Sequence, residues 1–231
     1  MHASIGDLTP DPHPVSIGAY GFLSDGEVNA LVSPSGCIDW MCLPRMDSPS
    51  IFGAILGRHA GTFRAAPADV SVPTARRYLP GTMVLETSWG TDTGWIIVRD
   101  ALLMGPWRHE AGFGKQQRRT PTDYEAEHVL LRTIRCVKGE VQVIVECDPI
   151  PDYGRTRLRW DYTDKVYHQG RGTAEGWDRE LLLTTDLRLG FEGGRAAART
   201  LLKEGDARYV ALSWGGRQPP LSFEDAYARQ V

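Results

Sequence analysis

The chain has 231 residues, 42% of them apolar, and a formal net charge of -3. That length suits one large all-β domain or two small ones, and the apolar share excludes disorder over most of it. The charge balance excludes a general attraction to nucleic acid or to an anionic membrane surface.

No apolar run reaches membrane-spanning length. Met1 to Pro14 has neither the basic start nor the apolar run of a signal peptide, and residues 1–14 read as a flexible terminus. The single asparagine, Asn29, is not followed by a glycosylation pattern. These features predict a cytoplasmic protein. Cys37, Cys42, Cys136 and Cys147 form no CxxC pair, so they read as buried free thiols and no metal site is expected.

In chain order, Val15 to Leu23, Glu27 to Ser33 and Cys37 to Leu43 read as a three-strand meander, with turns at Asp25-Gly26 and Pro34-Ser35-Gly36. Ser48 and Pro49 suit a helix start, so Ile51 to Leu56 is expected to form one or two helical turns. Val84 to Trp89 and Gly94 to Leu103 flank a hairpin signal at Gly90 to Thr93. His128 to Val137 and Val141 to Cys147 flank another at Lys138-Gly139-Glu140. Gly105 to Asp123 reads as a long exposed loop. Leu181 to Phe191, Ala196 to Leu202 and Arg208 to Trp214 complete the strands. Ser222 is a candidate cap, with Glu224 and Asp225 in the first turn of a helix running to Gln230. The expected fold is therefore all-β: a large antiparallel sandwich of two packed sheets over 15–219, with short helical segments and the start of a linker helix at 220–231.

Three stretches carry a resemblance. Tyr20 to Asp25, Ala30 to Val32 and Gly36 to Pro49 form the first. Arg77 to Thr87 is the second, and Asp148 to Arg155 the third. In residues, order and spacing they resemble the opening of bacterial family-fifteen glycoside hydrolases, the trehalase and glucoamylase group. Met46 stands where that family usually has an aromatic, and Gly26 where relatives often have a larger residue. The resemblance implies an amino-terminal β-sandwich, a linker helix and a barrel of paired helices that carries two catalytic glutamates. It implies cleavage of α-glucosidic bonds with inversion, one carboxylic acid protonating the leaving oxygen while a carboxylate activates water. Both glutamates would lie beyond residue 231, so no catalytic residue, metal ligand or cofactor is expected within this chain. The implied partners are the helical barrel of the same polypeptide and a glucoside at the domain junction. An apolar face left uncovered would also drive self-association.

Five residues are candidates for the rim of the substrate pocket. Arg45 offers a fork of donors and Asp47 an acceptor for hydroxyls, although the two could instead pair and fix their loop. Trp40 suits either sugar stacking or the core. Asp25 suits the rim or a local turn bond, and Tyr20 an interfacial hydroxyl. Arg155, Arg157 and Arg159 alternate, which suits a basic stripe or, better, a solvated face or ion pairs with the adjacent domain. Of the seven tryptophans, Trp107 and Trp177 sit in polar, glycine-rich surroundings that predict exposure. A free-standing carbohydrate-binding module and a purely structural sandwich are the competing readings.

Overall fold

The computed structural model describes residues 15–105, 126–216 and 219–230. The expected flexible terminus 1–14, Trp107 and the loop 105–123 beyond Gly105 lie outside the described residues.

The chain begins with a 3-10 turn, Ile17–Ala19, followed by strands β1 (Gly21–Ser24), β2 (Asn29–Val32), β3 (Cys37–Cys42), β4 (Ser50–Phe52) and β5 (Thr62–Pro67). Next come β6 (Ala75–Tyr78), β7 (Leu85–Gly90), β8 (Gly94–Met104) and the long β9 (Ala126–Asp148). One turn, α1 (Pro151–Gly154), leads to β10 (Arg159–Tyr162), β11 (Gln169–Ala174), β12 (Trp177–Thr185) and β13 (Gly190–Glu192). The last elements are β14 (Arg195–Lys203), β15 (Ala207–Trp214) and helix α2 (Phe223–Gln230). Every pairing is antiparallel.

The expected all-β sandwich is present, and its two layers are joined through β9. Val129 to Arg135 of β9 pair with β15 on one side and Ala101 to Ile97 of β8 on the other. Val143 to Cys147 pair instead with β5 and β14. The Lys138-Gly139-Glu140 signal therefore marks no hairpin, because the two halves of β9 do not pair with each other. It is the point where one strand passes from one layer to the next. Gly139 takes φ 66°, and a Cβ there would sit 2.1 Å from the Thr93 carbonyl oxygen. Only glycine fits so close an approach at positive φ.

Inward side chains of both layers form one core, including Leu23, Ile38, Phe63, Trp89, Ile134 and Leu183. A second cluster, with Leu103, Leu131, Tyr209, Ala211 and Ala226, lies under α2. The Ser222 hydroxyl accepts from the Asp225 N–H at 3.2 Å, so the expected cap starts α2. Gln230 then reaches the Arg99 carbonyl at 2.9 Å and the Thr133 hydroxyl at 2.7 Å.

Side chains close the edges of the sandwich. Arg76 donates to the carbonyls of Ala19 and Val32 at 2.5 and 2.8 Å, tying β6 to the β1–β2 edge. On the far edge, the Trp160 indole donates to the Gly194 carbonyl at 2.8 Å and the Tyr162 hydroxyl to that of Leu189 at 3.0 Å. Bonds of this kind replace the ladder that an open edge lacks.

Other expectations need correction. Ile51 to Leu56 starts as strand, because Ser50, Ile51 and Phe52 are all buried where β4 docks on β3. Three consecutive buried residues carry no period by which sequence could separate strand from helix. Leu181 to Phe191 is broken between β12 and β13, where Asp186 turns in to accept the Tyr209 N–H at 3.0 Å. Trp177 is half-buried and packs on the core, whereas Trp95, at 41%, is the well-exposed tryptophan among the described residues. Cys42, Cys136 and Cys147 are buried, Cys37 is partly so, and all four are free thiols. Burial pushes the Cys147 thiol well above its usual range.

Candidate functional site

The β1–β2 turn and the loop from Leu43 to Pro49 meet at one end of the sandwich, because β1, β2 and β3 pair antiparallel and bring their ends together. Asp25 builds the turn. Its Oδ1 accepts from the backbone N–H of Glu27 at 3.0 Å and of Val28 at 2.7 Å. Its other carboxylate oxygen is buried with no partner among the described residues. Burial pushes the carboxyl above its usual range, with the two N–H donors pulling the other way.

The Leu43 loop, entered through a cis Leu43–Pro44 bond, seats on that turn. The Met46 N–H donates to the Glu27 carbonyl at 2.9 Å, and the Asn29 amide lies 3.8 Å from the Met46 sulfur. Arg45 and Asp47 are about 70% exposed and lie 3.4 Å apart, a weak surface pair that leaves most donors and acceptors free. Two residues with no sequence signal join this end. His128, at the start of β9, pairs with Glu27 at 3.0 Å and stacks on Trp214 with ring centroids 5.7 Å apart.

Tyr20 and Trp40 sit elsewhere, on the outer face of the first layer. A bulge in β3 turns both Asp39 and Trp40 outward, since Leu31 opposes Trp40 while Val32 opposes Ile38. The Tyr20 hydroxyl donates to Asp39 at 3.2 Å and the Thr62 hydroxyl donates to it at 3.0 Å. Burial raises the Asp39 carboxyl, and these donors offset part of the rise. Burial and the neighbouring Asp39 carboxylate together raise Tyr20 far above the usual phenol range. Trp40 is half-buried and inclined against Tyr153, with centroids 6.5 Å apart. The structure thus brings Asp25, Arg45 and Asp47 to one end, and Tyr20 and Trp40 to an adjoining face.

Arg155, Arg157 and Arg159 are exposed and engaged locally, with Asp152, the Gly193 carbonyl and Asp161 respectively. No group of three or more potential metal ligands occurs among the described residues. No described helix is long and apolar enough to cross a membrane. A depression of about 270 Å3 beyond Trp214 is lined by Gln169, Glu180, Leu182, Ser213, Trp214 and Leu221, among others, and none of the five sequence candidates borders it.

Fold and site together define a β-sandwich with a loop-built end and an aromatic outer face, suited to recognition or support. Comparison with known proteins narrows that class. A family model described as trehalase-like, N-terminal, matches residues 11–100. A trehalase of Mycobacterium tuberculosis is 51% identical over 213 residues, 91% of this chain and 31% of that protein. A trehalase of Mycolicibacterium smegmatis is 50% identical over 224 residues, 96% of this chain and 33% of that protein. Trehalase 1 of Sulfolobus acidocaldarius is 35% identical over 85 residues. The chain spans about a third of the length of the two mycobacterial relatives.

Proposed function

We propose that this chain is the non-catalytic amino-terminal β-sandwich of a family-fifteen glycoside hydrolase that cleaves trehalose or an α-glucan with inversion. In this reading 15–219 is the sandwich, and 220–231 begins the linker to a helical barrel that supplies both catalytic carboxylates. Arg45, Asp47 and Asp25 reach the rim of that barrel's pocket, and Tyr20 and Trp40 support the adjoining face. The protein works in the cytoplasm. The observation that carries the reading is identity of about 50% over nearly the whole chain to proteins named trehalase, each about three times as long. The exposed Arg45–Asp47 pair suits a surface completed by another body.

The test is hydrolysis of trehalose, maltose and isomaltose, measured for this chain and for a polypeptide extended by the relatives' remaining length. Activity in the extended protein alone is expected. Hydrolysis by the purified 231-residue chain would overturn the non-catalytic reading.

A further inference from the structure

Phe22 opposes Leu31, and Leu31 opposes Trp40, so three apolar side chains run in file across the outer faces of β1, β2 and β3. Phe22 is 42% exposed, and Leu31 and Trp40 are half-buried. The file ends at Tyr153, which is 43% exposed and leans over Trp40 at an interplanar angle of 33°. The inclined pair, one ring half-buried and the other exposed, bounds a notch on the Tyr153 side.

The backbone that delivers Tyr153 is strained. Asp152 and Tyr153 take φ 54° and 58°, a left-handed conformation that aspartate tolerates but that costs a residue such as tyrosine roughly 1–2 kcal/mol. The neighbouring glycine has a structural reason, since a Cβ at Gly154 would lie 2.8 Å from Ala60. No such crowding requires tyrosine at 153, and glycine or asparagine would hold the same backbone with less strain. The tyrosine occupies its position despite the conformation, which points to a use for its ring. Asp152 also lies 3.7 Å from Arg155, with side chains 47% and 73% exposed. An acceptor and a fork of donors therefore flank the notch.

We infer that Trp40 and Tyr153, flanked by Asp152 and Arg155, form a saccharide subsite for α-linked gluco-oligosaccharides, outside the pocket rim. A pyranose offers an apolar C–H face to a ring and hydroxyls, each both donor and acceptor, to a carboxylate and a guanidinium. Successive units of an α-1,4 chain are inclined to each other, as the two rings are, whereas a β-1,4 chain is flat. The choice of α-glucan as the sugar class rests on the function proposed above; the notch itself does not.

The test is a nitrogen–proton NMR titration of the 231-residue chain with maltotriose, with cellotriose as the comparison. Shifts are expected at the Trp40 indole and at the amides of Asp152 to Arg155, and they should be weaker with cellotriose. Tyr153→Asn should weaken binding by about tenfold, the loss of one stacked ring. Its thermal midpoint should hold or rise, because asparagine tolerates the left-handed turn. Absence of maltotriose shifts, or equal binding by Tyr153→Asn, would overturn the subsite. So would a Tyr153-dependent dimer in sedimentation with no sugar response, which would assign the notch to a second copy. Maltotriose binding with no hydrolysis by the extended protein would overturn the proposed enzyme and leave the subsite standing.

Discussion

Arg132 donates through Nε to Asp100 at 2.7 Å, and both side chains are fully buried between the layers of the sandwich. The same guanidinium donates to the carbonyls of Phe63 and Gly36, which belong to the opposite layer, and lies 5.0 Å from the Phe63 ring centroid. One side chain thus spans the core, with its charge balanced on its own sheet and its remaining donors satisfied across the gap. Breaking such a pair strands a charge, at a cost of about 3–5 kcal/mol. Arg132→Met is expected to lower denaturant stability by about that amount, and pairing it with Asp100→Leu should recover much of the loss. A single variant as stable as the parent would show that water reaches this pair.

The Tyr78 hydroxyl accepts from the Phe22 N–H at 2.7 Å and donates to the Phe22 carbonyl at 2.9 Å. One phenol satisfies both backbone groups of an edge residue. Tyr78→Phe should cost about 1–2 kcal/mol and speed hydrogen exchange at the Phe22 amide. Unchanged exchange at that amide would remove Tyr78 from the seam.

Gly139→Ala tests the passage of β9 between layers. The added methyl meets the Thr93 carbonyl at positive φ, so a loss of about 3 kcal/mol or more is expected in thermal or denaturant unfolding. Gly26 also has positive φ but nothing within 4 Å, so alanine there should cost less.

Acidity should loosen α2 first. Burial alone would raise the Glu86 carboxyl, but Arg77 and Arg99 hold it below its usual 4.5. Arg99 carries the contact onward, donating to the Tyr227 hydroxyl at 3.2 Å and lying over that ring. A depressed carboxylate contributes stability that is complete above pH 4.5 and is lost as pH falls through its lower folded value. Protection of the α2 amides, relative to their intrinsic exchange rates, should therefore fall below about pH 4.5, and Glu86→Gln should flatten that response. An α2 whose protection does not change between pH 6 and pH 3, roughly a window around the carboxylate range, would refute the link.

Much of the fold is legible locally. Alternating or two-sided apolar runs mark β2, β3, β7, β8, β14 and β15 closely, and Ser222 with Asp225 marks the start of α2. The strands that sequence passes over are mostly polar or small, among them Ala75–Tyr78 in β6, Arg159–Tyr162 in β10, Gln169–Ala174 in β11 and the alanine-rich β5. Their conformation comes from neighbours already in place, and β propensity does not reveal that. The site divides in the same way. Asp25 before Gly26 reads as a turn in one dimension, while His128 and Trp214 reach the same end only through the pairing of β9 with β15.

By itself, then, the sequence determined the all-β class, most strand positions, the capped final helix and the stretches that resemble trehalase-type enzymes. Those properties depend on residues a few positions apart, where side-chain period, turn chemistry and capping act. Tertiary structure alone decided that Lys138-Gly139-Glu140 is a passage between layers, that Arg132 and Asp100 meet in the core, and that Tyr153 leans over Trp40. Each of these joins segments distant in the chain. Whether an arginine is buried or a glycine continues a strand depends on the free energy of what packs opposite it, and local residues do not carry that information.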